Sequence, residues 1–265
     1  MLWKIFLALL ALAEHHEIPT ENHAEIEPAE FVPSEYGPQT AAEEEITRAA
    51  MYGKHYGGDM IFPDGWNTSD AGINDKRFRW PLARVFYVIH PSAEHLRGVI
   101  NQGIQQYHAY TCLRFTEGYG NGNYILIHAG QGCWSVIGCN GGRQLLSLGQ
   151  GCQFVGLAVH ELGHAVGLFH EHQRSDRDNY ITVYKQNVIP DQLHNFERTP
   201  AWQEAYLYQY DYNSIMHYGN YAFSRNPRGL KTMEAHNGQA LIEPWQKRGF
   251  DQLDIYRLKQ MYGCQ

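Results

Sequence analysis

The chain has 265 residues, a formal charge of −7 at pH 7, 43% hydrophobic residues and 18% charged residues. This length fits one or two domains, and the apolar share is sufficient for a packed core. A charged share this low argues against a disordered protein and against one that coats nucleic acid.

The first 13 residues have the pattern of a secretory signal. Lys4 precedes an apolar run over residues 5–13, which ends in the small-x-small sequence Ala-Leu-Ala. About 9 apolar residues are too few to span a hydrocarbon layer of ~30 Å, which disfavours a membrane anchor. A buried N-terminal helix is the other alternative. We predict a signal peptide over residues 1–13 and a secreted, extracellular product without a membrane partner.

Residues 14–70 carry most of the acidity. They contain 13 acidic and 2 basic residues, whereas residues 71–265 contain 15 acidic and 18 basic residues. The segment mostly lacks periodicity, although residues 41–52 are compatible with one or two helical turns. It also contains a glycosylation sequon at Asn67. We predict a removable acidic pro-segment over residues 14–70, followed by a body of unlike charge.

The body begins with strand and helix signals. Apolar residues alternate over residues 84–90, and residues 124–128 form another short β-type run. Between them, apolar residues at positions 96, 100, 104 and 107 keep helical spacing. Regular periodicity fades after residue 167 and returns over residues 251–262, which predicts a closing helix. The first part of the body is therefore expected to contain a sheet with helices.

All the cysteines lie in the body. In an oxidising compartment, five cysteines predict up to two disulfides and one remaining thiol. None of the spacings is C-x2-C, so a metal site built from cysteines is a weak alternative. The cysteines are Cys112, Cys133, Cys139, Cys152 and Cys264.

The segment from His160 to His170 carries the strongest chemical signal. On a helix, residues four apart differ by about 40° around the axis, so His160 and His164 can face one ion. Gly167 allows the chain to leave the helix sharply, which would bring His170 to the same ion. Three neutral imidazoles leave one coordination position open to water, as in a catalytic zinc site.

The alternative is a set of histidines packed in the core. At the composition of this chain, H-E-x-x-H is expected by chance roughly 0.06 times, and roughly 0.0003 times with the added Gly and third His. Zinc lowers the pKa of bound water from 15.7 to roughly 7, and a neighbouring carboxylate can take its proton during attack on a carbonyl. We predict one Zn²⁺ per catalytic domain and Glu161 as the general base that later protonates the leaving amine.

Two motifs resemble those of a known family. Residues 160–181 read H-E-x-x-H-x-x-G-x-x-H-E-H-x-R-x-D-R-D-x-Y-I, and residues 214–218 read Ser-Ile-Met-His-Tyr. Both are similar to the signatures of the astacin metallopeptidases within the metzincins, over nearly all of residues 59–265. The resemblance implies a zinc metalloendopeptidase with an α+β, zincin-like fold. An upper half (71–167) has a twisted mixed sheet and two helices, a lower irregular half (168–265) has a C-terminal helix, and a cleft divides them.

The resemblance also assigns roles to single residues. It implies that Met216 lies in the Met-turn beneath the zinc, and that Tyr218 is a further ligand which swings away to stabilise the transition state. Residues 56–60, Tyr-Gly-Gly-Asp-Met, resemble the inhibitory F-x-G-D motif, in which Asp59 binds zinc in place of water. Without the family, the first two would be interpreted as core residues and Asp59 as part of a glycine turn.

Processing and cross-links follow from the same resemblance. It implies a mature N-terminus at Ala71, whose ammonium group reaches Glu171, and the disulfides Cys112–Cys264 and Cys133–Cys152. Cys139 departs from the family pattern, in which Arg is usual. It is expected to be either a free thiol or an intermolecular contact of an otherwise monomeric protein.

Substrates are expected to be proteins or peptides, bound in an extended form along the edge strand at residues 133–137. Lys247, Arg248 and Arg228 are candidates for contacting acidic substrate side chains, or else solvated surface charges. The alternative function is a catalytically silent, zinc-containing secreted binding or toxin module. Such a module would be expected to lack Glu161 or a zinc ligand, and none is missing.

Overall fold

The computed structural model describes residues 37–38, 40–62, 75–201, 204 and 208–265. These residues all belong to one of the two units into which the chain divides, residues 33–265. The predicted signal peptide (1–13), the sequon at Asn67 and the predicted N-terminus at Ala71 lie outside the described residues.

Most helices and strands lie in the first two thirds of the described chain. The α-helices are α1 (Ala41–Met51), α2 (Arg97–Tyr110), α3 (Val155–Ala165) and α4 (Gln252–Tyr262). The first four strands are β1 (Met60–Ile61), β2 (Arg84–Ile89), β3 (Arg114–Glu117) and β4 (Tyr124–His128). The others are β5 (Cys133–Val136), β6 (Arg143–Leu148), β7 (Ile181–Val183) and β8 (Met233–Ala235).

A mixed sheet forms the upper half of the body. Its strand order is β1-β5-β6-β4-β2-β3. Strand β5 is antiparallel to β6, and the other neighbours are parallel. Helices α2 and α3 pack against each other, and α3 also contacts β5 and β6. The predicted α+β fold with a twisted mixed sheet and two helices is confirmed, with the addition that β1, from the predicted pro-segment, forms one edge of the sheet.

The apolar periodicity corresponds to the buried faces. Strand β2 buries Val85, Tyr87 and Ile89, and the buried side of α2 includes Ile100 and Ile104. The closing helix predicted over residues 251–262 is α4. Its first turn is capped by the Asp251 carboxylate, which accepts a hydrogen bond from the backbone of Leu253.

The predicted pro-segment contains a longer helix than its periodicity predicts. Helix α1 has 11 residues, about three turns, where one or two were expected. A capping box begins it: the Thr40 hydroxyl accepts from the Glu43 backbone, and the Glu43 carboxylate accepts from the Thr40 backbone. Its buried face includes Ala50 and Met51, which pack on the body. Tertiary packing therefore completes a helix with a weak apolar pattern.

The lower half of the body is mostly irregular. It contains short 3₁₀ turns, the two-stranded antiparallel sheet of β7 and β8, and α4. The disulfide Cys112–Cys264 joins the chain after α2 to the residue that follows the cap of α4. A second disulfide, Cys133–Cys152, ties the start of β5 to the loop after β6. No helix within the described ranges is long and apolar enough to cross a bilayer.

We expect the free energy of unfolding of the Cys112→Ser/Cys264→Ser double variant to be about 4–5 kcal/mol lower than that of the wild-type protein. The reason is that this disulfide closes a loop of 152 residues. The Cys133→Ser/Cys152→Ser double variant opens a loop of only 19 residues and should lose about 3 kcal/mol. Denaturant titration of both variants measures the difference. Equal losses would contradict a loop-length origin, and Cys139→Ser controls for removal of a buried thiol.

Candidate metal centre

Three histidines converge at the end of α3. His160 and His164 lie one turn apart on this helix and are fully buried. Two residues after the end of the helix, Gly167 has φ +100° and donates its N–H to the carbonyl of His164 at 2.8 Å. This positive φ is strained for other residue types, and it turns the chain so that His170 meets the other two rings, as predicted.

The ring nitrogens are spaced like the ligands of one small cation. The Nε2 atoms are separated by 3.1 Å between His160 and His164, by 3.2 Å between His164 and His170, and by 3.3 Å between His160 and His170. Zn–N bonds of 2.0–2.1 Å at tetrahedral angles place ligand atoms about 3.3–3.4 Å apart. The geometry therefore fits zinc.

Each imidazole is oriented by an acceptor at its other nitrogen. His160 Nδ1 lies 2.7 Å from the Ile215 carbonyl, His164 Nδ1 lies 2.8 Å from the Leu168 carbonyl, and His170 Nδ1 lies 3.1 Å from Gln173 Oε1. These acceptors fix the proton on Nδ1 and leave the lone pair on Nε2. Burial lowers the pKa of His160 to about 4 and favours the neutral ring. Three lone pairs that face one point in a dry interior require a cation between them.

Asp59, in the predicted pro-segment, provides the fourth donor. Its Oδ2 lies 2.9 Å from His160 Nε2, and its Oδ1 lies 3.3 Å from His164 Nε2 and 3.2 Å from His170 Nε2. One donor atom from each of these four residues lies within 4.8 Å of the others, and all four are buried. Burial alone would raise the pKa of Asp59, but His170 and His164 hold it well below its usual range. A carboxylate with three imidazoles is an ordinary donor set for one zinc ion.

The backbone on both sides of Asp59 fixes its position. Gly57 has φ +69°, and a Cβ there would lie 2.7 Å from His170 Nδ1, so only glycine allows this close approach. The Ser135 N–H donates to the Asp59 carbonyl at 2.9 Å, and the Ile137 N–H donates to the Ile61 carbonyl at 3.0 Å. Strand β1 thus lies parallel along β5 and leads the carboxylate into the histidine cluster.

Tyr218 contacts the same carboxylate. Its hydroxyl donates to Asp59 Oδ2 at 2.6 Å, and its ring lies 4.4 Å from the His170 ring. Tyr52 of the pro-segment packs edge-on against Tyr218, with 5.3 Å between the ring centres. Burial raises the pKa of Tyr218 well above its ordinary value, and Asp59 adds to the effect. The structure therefore places a neutral hydroxyl donor at the metal cluster.

Glu161 is buried next to His160 on α3. Neither of its carboxylate oxygens has a hydrogen-bond donor among the described residues. Burial raises the pKa of Glu161 well above its ordinary value, and the charge of Asp59 acts in the same direction. A buried carboxylate without protein donors contributes no structural hydrogen bond here, and this is consistent with a chemical role.

A turn beneath the cluster is held by residues that sequence reasoning missed. The Met216 sulfur packs on α3, where a Cβ added to Gly163 would lie 2.9 Å from it. The Asp254 carboxylate accepts hydrogen bonds from the Ser214 hydroxyl and the Ile215 N–H, at 2.6 and 2.7 Å. Asp254 lies 40 positions after Ser214 in the sequence, so no local signal relates the two.

Lys247 also supports this turn. Its Nζ donates to the carbonyls of Ser214 and His217, both at 2.6 Å, and the residue is 5% exposed. Burial lowers the pKa of Lys247 to about 8. The sequence suggested that Lys247 is either a solvated surface charge or a contact for acidic substrate side chains, and neither interpretation fits this buried position. Arg228, by contrast, is exposed.

Glu171 lies in a charged network on the other side of His170. Its carboxylate meets Arg174 Nη1 at 2.7 Å, Arg257 Nη2 at 2.7 Å and the Asp211 N–H at 2.9 Å. Burial alone would raise the pKa of Glu171, but Arg257 and Arg174 lower it. The two arginines are partners that the sequence did not indicate.

Cys139 is a free thiol and is buried, with 6% of its surface exposed. Of the two interpretations from the sequence, the free thiol agrees with this placement. An intermolecular disulfide would require the side chain to be uncovered.

Comparison with known proteins supports a protease site. Residues 72–263 match the family model described as Astacin, a peptidase family. The chain is 37% identical over 210 residues to astacin-like metalloprotease toxin 2 of Loxosceles intermedia. The matched region covers 78% of this chain and 82% of that protein. It is 35% identical over 232 residues to zinc metalloproteinase nas-7 of Caenorhabditis elegans, over 83% of this chain and 59% of that protein.

A solved structure agrees with these matches. High choriolytic enzyme 1, a hatching enzyme zinc-protease from Oryzias latipes, superposes with a TM-score of 0.64 at 31% identity. The superposition covers 77% of this chain and 99% of the other. The fold, the family model and the histidine cluster thus point to one kind of protein.

Proposed function

Because the chain belongs to the astacin family of zinc metallopeptidases, we propose that it is made as a secreted, inactive precursor that hydrolyses peptide bonds after its pro-segment is removed. The observation that carries this proposal is the position of Asp59. A residue that precedes the family match by 13 positions is the fourth donor of the three-histidine cluster. The pro-segment and the substrate then compete for one place.

The reaction is assigned to three side-chain types: histidine, glutamate and tyrosine. Zinc, when bound by His160, His164 and His170, supplies a Lewis acid that acidifies water and polarises a carbonyl. Glu161 takes the proton of the attacking water and passes it to the leaving amine. Tyr218, whose hydroxyl donates to an Asp59 oxygen in the precursor, donates to the developing oxyanion of the substrate.

The substrate backbone is proposed to pair with β5. In the precursor, this edge is covered by β1, through the N–H groups of Ser135 and Ile137. Once β1 is removed, the same groups are available to an extended peptide. The proposed boundaries are a signal peptide over residues 1–13, a pro-segment over 14–70 and a catalytic domain over 71–265. The new ammonium group of Ala71 is proposed to join the network of Glu171.

Metal removal tests the proposal. The processed protein is expected to hydrolyse casein, to lose this activity to background with a zinc chelator, and to regain it with stoichiometric Zn²⁺, because the three imidazoles need the cation. The precursor should be inactive under the same conditions. Zinc binding without any hydrolysis by the processed protein would favour a silent binding or toxin module instead. N-terminal sequencing of the secreted, active protein tests the boundary at Ala71.

A further inference from the structure

A buried acidic residue lies beside the metal cluster. Glu243 is 5% exposed, and its Oε2 accepts the N–H of Gly219 at 2.8 Å. Gly219 follows Tyr218 directly, so the carboxylate is only one residue removed from the cluster. Its Oε1 has no hydrogen-bond donor among the described residues. One oxygen of a fixed, buried carboxylate is therefore open to a cation.

The pro-segment supplies that cation. Arg48 of α1 places Nη1 3.6 Å from Glu243 Oε1, and its guanidinium carbon lies 5.6 Å from the centre of the Trp245 ring. The same guanidinium carbon lies 5.9 Å from the ring of Tyr52. A carboxylate on one side and an aromatic face on the other form a site that suits a basic side chain.

Removal of α1 leaves Glu243 without its ion pair. Among the residues that the structure describes, Arg48 is the one cationic side chain within 4 Å of this carboxylate. Lys247 cannot replace it without breaking its two 2.6 Å bonds to the carbonyls of Ser214 and His217. A carboxylate that has lost its cationic partner favours a new one, so a cationic substrate side chain can form a charge-assisted contact in the place of Arg48.

A cavity of about 570 Å³ borders α1, and its lining includes Arg48, Tyr52 and Phe223 but neither Glu243 nor Trp245. Space for a substrate side chain at Glu243 and Trp245 is therefore the volume that Arg48 vacates when α1 is removed. Tyr218 connects the acidic site to the histidine cluster. At ~3.3 Å per residue, the length of one tyrosine corresponds to roughly two or three residues of an extended peptide.

Resting on the proposed function, we propose that Glu243 and Trp245 form a specificity subsite of the processed enzyme. It takes a lysine or arginine side chain of the substrate within about three residues of the scissile bond. In the precursor, Arg48 occupies this subsite, as Asp59 occupies the metal cluster. The pro-segment thus covers both the reacting centre and a recognition site.

The test is a cleavage profile of the processed wild-type enzyme on a peptide library, followed by matched peptides that carry lysine or norleucine at the enriched position. We expect one position near the scissile bond to favour lysine and arginine, with kcat/KM roughly 10- to 100-fold higher for lysine than for norleucine, as for a hydrogen bond to a buried charge. In Glu243→Gln, which keeps an acceptor for the Gly219 N–H, this ratio should fall below about threefold. Glu94→Gln, an exposed change, should leave it unchanged.

The outcomes separate the two proposals. Hydrolysis by the wild-type enzyme without a basic preference, or a preference that persists in Glu243→Gln, overturns the subsite and leaves the proposed function intact. Absence of hydrolysis of every peptide overturns the proposed function itself. The wild-type comparison needs no variant, so absence of a basic preference overturns the subsite even if Glu243→Gln does not fold. In the precursor, Arg48→Gln should increase residual activity more than Lys54→Gln, which alters an exposed residue of the same segment.

Discussion

Replacement of Glu161 by glutamine in the processed enzyme is expected to lower kcat/KM roughly 10³- to 10⁴-fold while leaving one zinc ion per chain. The amide cannot take a proton from water or return it to the leaving amine, and one general acid–base group contributes about 10²–10⁴-fold. A loss at the upper end of this range is expected because the same carboxylate takes the proton from water and returns it to the leaving amine. Peptide hydrolysis and metal content of the purified variant measure the two quantities.

The structure makes this substitution unusually selective. Both oxygens of Glu161 lack hydrogen-bond donors among the described residues, so glutamine breaks no hydrogen bond there. The side chains are similar in size, and the three histidines keep their own acceptors. Glu117→Gln, an exposed change in the upper sheet, should retain full activity. Retention of activity by Glu161→Gln with normal zinc content would refute its role as the base.

Asp59→Ala in the full-length precursor is expected to raise its peptidase activity roughly 30- to 4000-fold above that of the wild-type precursor. Asp59 is the side chain of the pro-segment that meets all three histidines and Tyr218. Removal of one partner from a buried charged contact costs about 2–5 kcal/mol, and every 1.4 kcal/mol is tenfold. The strand pairing of β1 with β5 remains, so inhibition should be weakened and not abolished.

This experiment requires a check at each time point that the precursor has not been cleaved. Initial rates should be measured together with the intact mass of the precursor, so that activity of the unprocessed chain is separated from processing. Asp59→Asn should fall between the wild-type protein and Asp59→Ala, because its amide keeps an oxygen donor but carries no charge. Lys54→Gln controls for a change elsewhere in the pro-segment. An unprocessed Asp59→Ala precursor as inactive as the wild type would contradict the latch.

The ligand set was predictable because it is local. His160 and His164 are related by helical periodicity, and Gly167 marks the turn that brings in His170. The same holds for β2 and α2, whose buried faces repeat with the periods of a strand and a helix. In each case the residues that determine the structure lie within one or two turns of each other.

The remainder of the site depends on contacts across the chain. Asp59 joins histidines about 100 positions later, and Lys247 supports a turn some 30 positions earlier. Neither residue has a periodic pattern around it, and Asp59 was predicted only through the family resemblance. The pairing of Arg48 with Glu243 had no signal at all, because a single arginine in an acidic helix is equally compatible with a surface ion pair. Long-range partners of this kind are set by packing, which sequence patterns do not encode.

The parallel pairing of β1 with β5 also affects storage of the protein. A sheet edge with unpaired N–H and C=O groups is a template for association with other chains, and proteins commonly cover or charge such edges. Strand β5 lies between β1 and β6, and its start is held by Cys133–Cys152. Under the proposed processing, β5 becomes an outer strand, so the precursor is expected to resist association at high concentration better than the processed enzyme does.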